Sequence, residues 1–175
     1  MATFRAFLSL RPCVLLLLFA ASASSQEGPL PNEMPEKAAR ILNNAEEWDL
    51  YSLQPSPSNE VADKTSFFYP HQVLGRLTVK KTDDVGKKVL DAFEKTIGKG
   101  DWQARCFEPE HAIHAEDRDD SIDIIICFHC GWAYVYVNEK EVAALIAEMS
   151  GDEMFDSILK NANIPLAQSK SDADK

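Results

Sequence analysis

The sequence predicts an α+β domain, a mainly antiparallel sheet of about five to six strands with helices packed on one face. Three observations carry this. Apolar residues recur at helical spacing in three separate stretches, near residues 35–47, 82–97 and 150–162. Between the second and third stretches the chain runs through β-branched and aromatic segments divided by turn residues. The order is therefore helix, strand, strand, helix, a run of strands and a last helix, which segregates the elements where an α/β fold would alternate them.

Composition narrows the function classes. With 175 residues, 45% hydrophobic and 26% charged, the chain is long and apolar enough for one domain with tails. A formal charge of −10 and a pI near 4.8 oppose association with phosphate backbones or anionic membrane surfaces, so nucleic acid is not an expected partner. Arg5 and Arg11, the apolar run Val14 to Ala21 and the small residues Ala21-Ser22-Ala23 have the layout of a cleaved signal peptide. The expected organisation is a signal peptide over 1–23, a flexible lead-in over 24–34, a single α+β domain over 35–167 and a polar tail over 168–175. The apolar run is well short of the roughly 20 residues a spanning helix needs, which argues against an uncleaved membrane anchor, and no integral membrane segment is expected in the mature chain. Cys13 precedes the apolar run instead of ending it, which argues against a lipoprotein. The expected location is exported, either periplasmic or extracellular, and cleavage removes two arginines and no acids, leaving a more acidic chain.

Taken in order, Pro35 opens a helix to about Glu47, with Ala38, Ile41, Leu42, Ala45 and Trp48 at helical spacing. Glu46 and Glu47 oppose the helix dipole, so a turn or frayed end is expected there. Leu50 to Leu53 reads as a short strand closed by the loop Gln54-Pro55-Ser56-Pro57-Ser58. Phe67-Phe68-Tyr69-Pro70 is an aromatic packing cluster, and Val73 to Lys80 a strand. Thr82-Asp83-Asp84 caps a helix whose apolar face is Val85, Val89, Phe93 and Ile97, ended by Gly98 and Gly100. Gln103 to Glu116 is strand-like but interrupted by Pro109, and the charged turn Glu116 to Asp120 lacks the glycine and closing glutamate of a calcium loop. The run Ile122 to Phe128 contains three consecutive isoleucines, the mark of a strand buried on both faces. Trp132 to Val137 alternates, Asn138-Glu139-Lys140 is a turn, and Glu141 to Ala147 is read as a strand in preference to a short helix. Ser150-Gly151-Asp152-Glu153 has the form of a capping box for a last helix, stopped by Asn163-Ile164-Pro165.

The chemistry-bearing residues concentrate between Cys106 and Cys130. Cys127-Phe128-His129-Cys130-Gly131 joins two strand-like runs, and a Cys-x-x-Cys-Gly turn between strands can bring two thiolates to one edge of a tetrahedral metal site. Cys106 and His111 are the available second pair, giving a candidate ligand set of Cys106, His111, Cys127 and Cys130 for zinc or another transition metal. On a regular strand Cys106 and His111 face opposite sides; a break at Pro109 would bring them together, and without one His114 is the rival ligand. His129, inside the turn, is expected to point outward. In an oxidising compartment three cysteines leave at least one sulfur unpaired, bound to metal or paired between chains, so a structural disulfide and a thiol-disulfide redox pair of Cys127 and Cys130 stay open beside the metal reading. The residues after Cys130 alternate like a strand, which departs from the thioredoxin arrangement of a cysteine at a helix N-terminus. Glu108 and Glu110 flank Pro109 beside His111, a carboxylate–imidazole arrangement weaker than these. No nucleophile elbow, phosphate-cradling glycine loop or His-Glu-x-x-His is present.

Five landmarks, Ala45-Glu46-Glu47-Trp48-Asp49-Leu50-Tyr51-Ser52-Leu53-Gln54-Pro55, Val73-Leu74-Gly75, Cys106-Phe107-Glu108-Pro109-Glu110-His111-Ala112-Ile113, Asp123-Ile124-Ile125-Ile126-Cys127-Phe128-His129-Cys130 and Asn161-Ala162-Asn163-Ile164-Pro165-Leu166, span most of the mature chain. Together they resemble an uncharacterised family of small bacterial proteins, often exported, with Cys-Phe-x-Pro-x-His and Cys-Phe-x-Cys motifs. The resemblance implies a shared fold and a shared site and supplies no activity. Glu110 stands where the family pattern usually has an arginine, a departure that argues against a role resting on a positive charge beside His111. The expected function is a non-catalytic binding or interaction module with a Cys/His metal or structural cysteine site, serving a protein or small-molecule partner. The alternative is a redox protein using Cys127 and Cys130.

Overall fold

The computed structural model describes residues 32–55 and 67–167. The expected signal peptide, most of the lead-in, Ser56 to Ser58 of the proline loop and the polar tail lie outside the described residues. The first helix, α1 (Glu36–Asn44), buries Ala38, Ile41 and Leu42 along one stripe. It stops sooner than the helical spacing predicts, because β1 (Glu47–Leu53) begins at once and exchanges backbone hydrogen bonds with two neighbours. Trp48 reaches the core through strand alternation with Leu50, and helical periodicity plays no part in it.

The neighbours of β1 are β3 (His71–Lys80) and β4 (His111–Asp117), both antiparallel to it. Between them α2 (Asp84–Thr96) crosses over the sheet. From β4 the chain meanders through β5 (Asp120–Cys127), β6 (Trp132–Val137) and β7 (Lys140–Ile146), each antiparallel to the last, before α3 (Gly151–Asn161). These six strands form the antiparallel sheet, and a two-residue β2 (Phe67–Phe68) adds to the edge at β3, giving the order β2-β3-β1-β4-β5-β6-β7. The fold is the α+β arrangement expected, with three helices and a largely consecutive sheet among the described residues.

Burial separates the two faces of the sheet. Trp48, Leu50, Ile113, Ile124, Ile126 and Val135 join residues of the three helices in the main core. On the opposite face Leu53, Ala112 and Ile125 pack with Tyr51, Phe68, Tyr69, Phe107 and Tyr136. Ile124 and Ile126 thus look one way and Ile125 the other, so β5 is buried on both faces as its isoleucine run predicts. The aromatic cluster is packing, with Tyr69 and Tyr136 ring centroids 4.5 Å apart and Tyr51 and Phe68 4.7 Å apart.

Three local expectations are revised. The strand anticipated from Gln103 begins only at His111; Pro109 is buried and has no N–H to give a ladder, and the stretch ahead of it is tied by side chain and loop. There the Ala104 N–H donates to the Cys130 carbonyl at 2.8 Å, and the Trp132 indole donates to the Ala104 carbonyl at 2.7 Å. The capping box at Ser150 does not form: Ser150 is already helical (φ −61°, ψ −15°) and makes no side-chain cap. A backbone turn replaces it, with Gly151 N–H donating to Glu148 and Asp152 N–H to Met149. Asp83 likewise precedes α2 without a side-chain cap. Among the described residues no helix is long and apolar enough to cross a membrane.

Candidate functional site

The Cys-x-x-Cys turn is the end of β5 folding back into β6. Backbone bonds from Cys130 N–H to the Cys127 carbonyl (3.2 Å) and from Gly131 N–H to the Phe128 carbonyl (3.1 Å) close it. Gly131 has φ +71° and lies against the Trp102 carbonyl, so both its conformation and its surroundings require glycine. Cys127 and Cys130 are joined as a disulfide, and each is about 1% exposed. Cys106 is exposed, and its Sγ lies 3.0 Å from Cys130 Sγ. The Glu108 N–H also donates to Cys130 Sγ at 3.4 Å. Three sulfurs are therefore gathered at one place, and in the disulfide form Cys127 and Cys130 offer no thiolate to a metal.

His111 has different company. As the first residue of β4 it shares the helix face with Ile113, and it is 1% exposed. Its ring packs against Phe128 and Phe155, at centroid distances of 5.6 and 5.7 Å, and those two rings also touch each other at 5.3 Å. Nε2 is 3.2 Å from Asp156 Oδ1, and Nδ1 is 3.8 Å from Asp152 Oδ1. That leaves Nδ1 buried without a hydrogen-bond partner. The two aspartates stand one turn apart on α3 and so present both carboxylates to the same side. Gly151 brings this helix end against the ring of Phe128, where a Cβ would have no room. His129, its side chain 62% exposed, points outward from the turn as expected, with Nε2 3.6 Å from Asp152 Oδ2. Lys160 donates to Asp156 Oδ2 at 3.0 Å. With Ser52, Glu110, Leu166 and Ala167, these side chains line a cleft of about 330 Å³.

The electrostatics follow from crowding acids beside two imidazoles. Burial pushes the Glu110 carboxyl above its usual range and the charge of Asp152 adds to this, while His129 and His111 oppose it. Burial also acts upward on Asp156, but hydrogen bonds from His111 and Lys160 outweigh it and hold the carboxyl below its usual range. Two sets of ligand atoms lie close enough to hold a metal ion, each within 4.8 Å: His111, Asp152 and Asp156, and Glu110, His129 and Asp152. Asp152 belongs to both.

The four residues singled out in the sequence thus divide into the sulfurs of Cys106, Cys127 and Cys130 on one side and His111 with the α3 aspartates on the other. Because β4 starts only after Pro109, the odd offset between Cys106 and His111 has no bearing on where they point. His114 lies on the opposite face of the sheet, with Nδ1 2.6 Å from Asp123 Oδ1 and Nε2 3.2 Å from Glu116 Oε1. Asp152 and Asp156 escape a reading of the sequence, since Asp152 fits a capping box and Asp156 a solvated face; the available signal is their four-residue spacing. The chain matches no protein-family model, no curated protein and no solved structure.

Proposed function

We propose that this is an exported metal-binding module in which a divalent transition ion sits on Asp152 and draws its remaining ligands from His111 and Asp156 and from Glu110 and His129. The observation that carries the reading is the His111 ring. When Nε2–H donates to Asp156, Nδ1 presents a lone pair, buried and unpartnered, 3.8 Å from a carboxylate oxygen. Two electron-rich atoms facing each other without a proton between them favour a cation there. An imidazole and carboxylate set suits zinc, manganese or iron, and the partial exposure of Asp152 and Asp156 leaves room for water or a ligand group on the ion. The cysteine disulfide is in keeping with an exported protein.

The test is metal content of the purified tag-free chain and titration calorimetry with zinc and manganese. Roughly one ion per chain is expected. Asp152→Asn, which touches both ligand sets, weakens binding most, by at least about tenfold, and Asp156→Asn follows. His111 is buried, so the two aspartate variants carry the test where His111→Ala fails to fold. Wild-type chain that takes up neither metal, or aspartate variants that bind as well as wild type, would sink the reading.

A further inference from the structure

None of the three sulfurs is among the ligands proposed for that ion. We infer that Cys106 is the solvent-facing relay through which an external thiol reaches the buried Cys127–Cys130 disulfide, so that the chain exchanges disulfides with thiol-bearing small molecules or peptides. Access decides this. Cys127 and Cys130 are each about 1% exposed, so a thiol in solution has no approach to either sulfur, whereas Cys106 is exposed. Cys106 Sγ is nonetheless 3.0 Å from Cys130 Sγ, in position to attack it. That proximity is built in: the segment bearing Cys106 is tied to the turn through the bonds from Ala104 to Cys130 and from Trp132 to Ala104.

The exchange balances without any group beyond the external thiol. The Cys106 thiolate attacks Cys130 Sγ; a Cys106–Cys130 bond forms, the Cys127–Cys130 bond breaks, and the electron pair leaves on Cys127, which takes a proton because its surroundings are dry. An external thiolate then attacks Cys106, now the exposed end of the disulfide, forming a mixed disulfide and expelling Cys130 as thiolate. The Glu108 N–H, 3.4 Å from Cys130 Sγ, faces the charge that develops there. A second external thiolate takes the first from Cys106, releasing an external disulfide and the Cys106 thiolate. Two external thiols are oxidised and one protein disulfide is reduced to two thiols; the reverse sequence oxidises the protein.

The experiment is reduction of the oxidised full chain by glutathione, with a chelator present so that the metal site plays no part. The rate is followed by acid quench, alkylation and peptide mapping. Cys106→Ser, and Cys106→Ala as a second variant at this exposed position, should lose the Cys127–Cys130 disulfide at least about tenfold more slowly than wild type. Denaturant should bring all three chains to one rate. In wild type the trapped glutathione should be found on Cys106. Equal rates in the folded variants and wild type, glutathione trapped on Cys127 or Cys130, or three free thiols in the chain isolated under oxidising conditions each overturn the inference.

Discussion

His114 illustrates how a single residue can look like a ligand and serve the fold. Its Nδ1 meets the buried Asp123 at 2.6 Å, and Tyr69 donates to the other oxygen of the same carboxylate at 3.0 Å. The hydrogen bond to Asp123 raises the imidazole pKa, burial opposes this, and Glu116 adds to it. The sign of the pH dependence follows. The folded pKa stands above the usual value of 6.5, so the stabilisation is fully present below about pH 6.5 and is lost as pH rises through the raised value. Thermal melting at about pH 6 and about pH 8.5 should therefore show a loss of stability on the alkaline side that His114→Gln reduces. An identical loss in the variant would place the effect elsewhere. Asp120 behaves oppositely: hydrogen bonds from Lys37 and Asn138 hold it at about 2, so its contribution is full above the usual value of 3.8 and is lost as pH falls from there through about 2.

Among the elements, α3 does the most for the candidate metal site, through a residue that bears no chemistry. Its one-turn pair of aspartates faces His111 only because the N-terminal end of the helix lies against Phe128, and Gly151 is what permits that approach. Gly151→Ala would push α3 away from β4 and β5. The expected cost is about 1–3 kcal/mol in denaturant unfolding, with weakened metal uptake by a chain that still folds. A variant as stable as wild type with unchanged metal affinity would show that the helix adjusts without moving its carboxylates. The β3-to-β4 connection has a comparable lesson. Pro109 delays β4 until His111, and the residues released from the sheet are the ones that carry Cys106 to the Cys127–Cys130 turn.

At the scale of the molecule, β5 joins two hydrophobic clusters through one strand. Ile124 belongs to the helix-side core and Ile125 to the aromatic face. Because the strand is shared, Ile124→Ala and Ile125→Ala should each lower stability by about 2–5 kcal/mol and do so within one cooperative transition. Separate transitions for the two faces, resolved by calorimetry, would contradict this. The cysteine turn and the His–Asp cleft share the same strand: β5 supplies Cys127 at its end, and Phe128 just beyond it packs against His111.

Local pattern alone determined much of this protein. Alternation and periodicity specify the helices, the antiparallel run and the doubly buried Ile124-Ile125-Ile126, because burial of one face or two leaves a period in the sequence. The gathering of residues toward Cys127-Phe128-His129-Cys130 was visible for the same reason, since the turn and its glycine are contiguous. Element ends were less legible: Trp48 satisfies helical and strand spacing alike, and only pairing with β3 and β4 decides between them. The partners of His111 were beyond reach, because Asp152 and Asp156 are brought to it by the packing of α3 over the sheet from some forty residues away, and no local period records which helix face meets which strand. The same holds for Cys106, whose distance from Cys130 depends on loop bonds to the turn and on the break at Pro109.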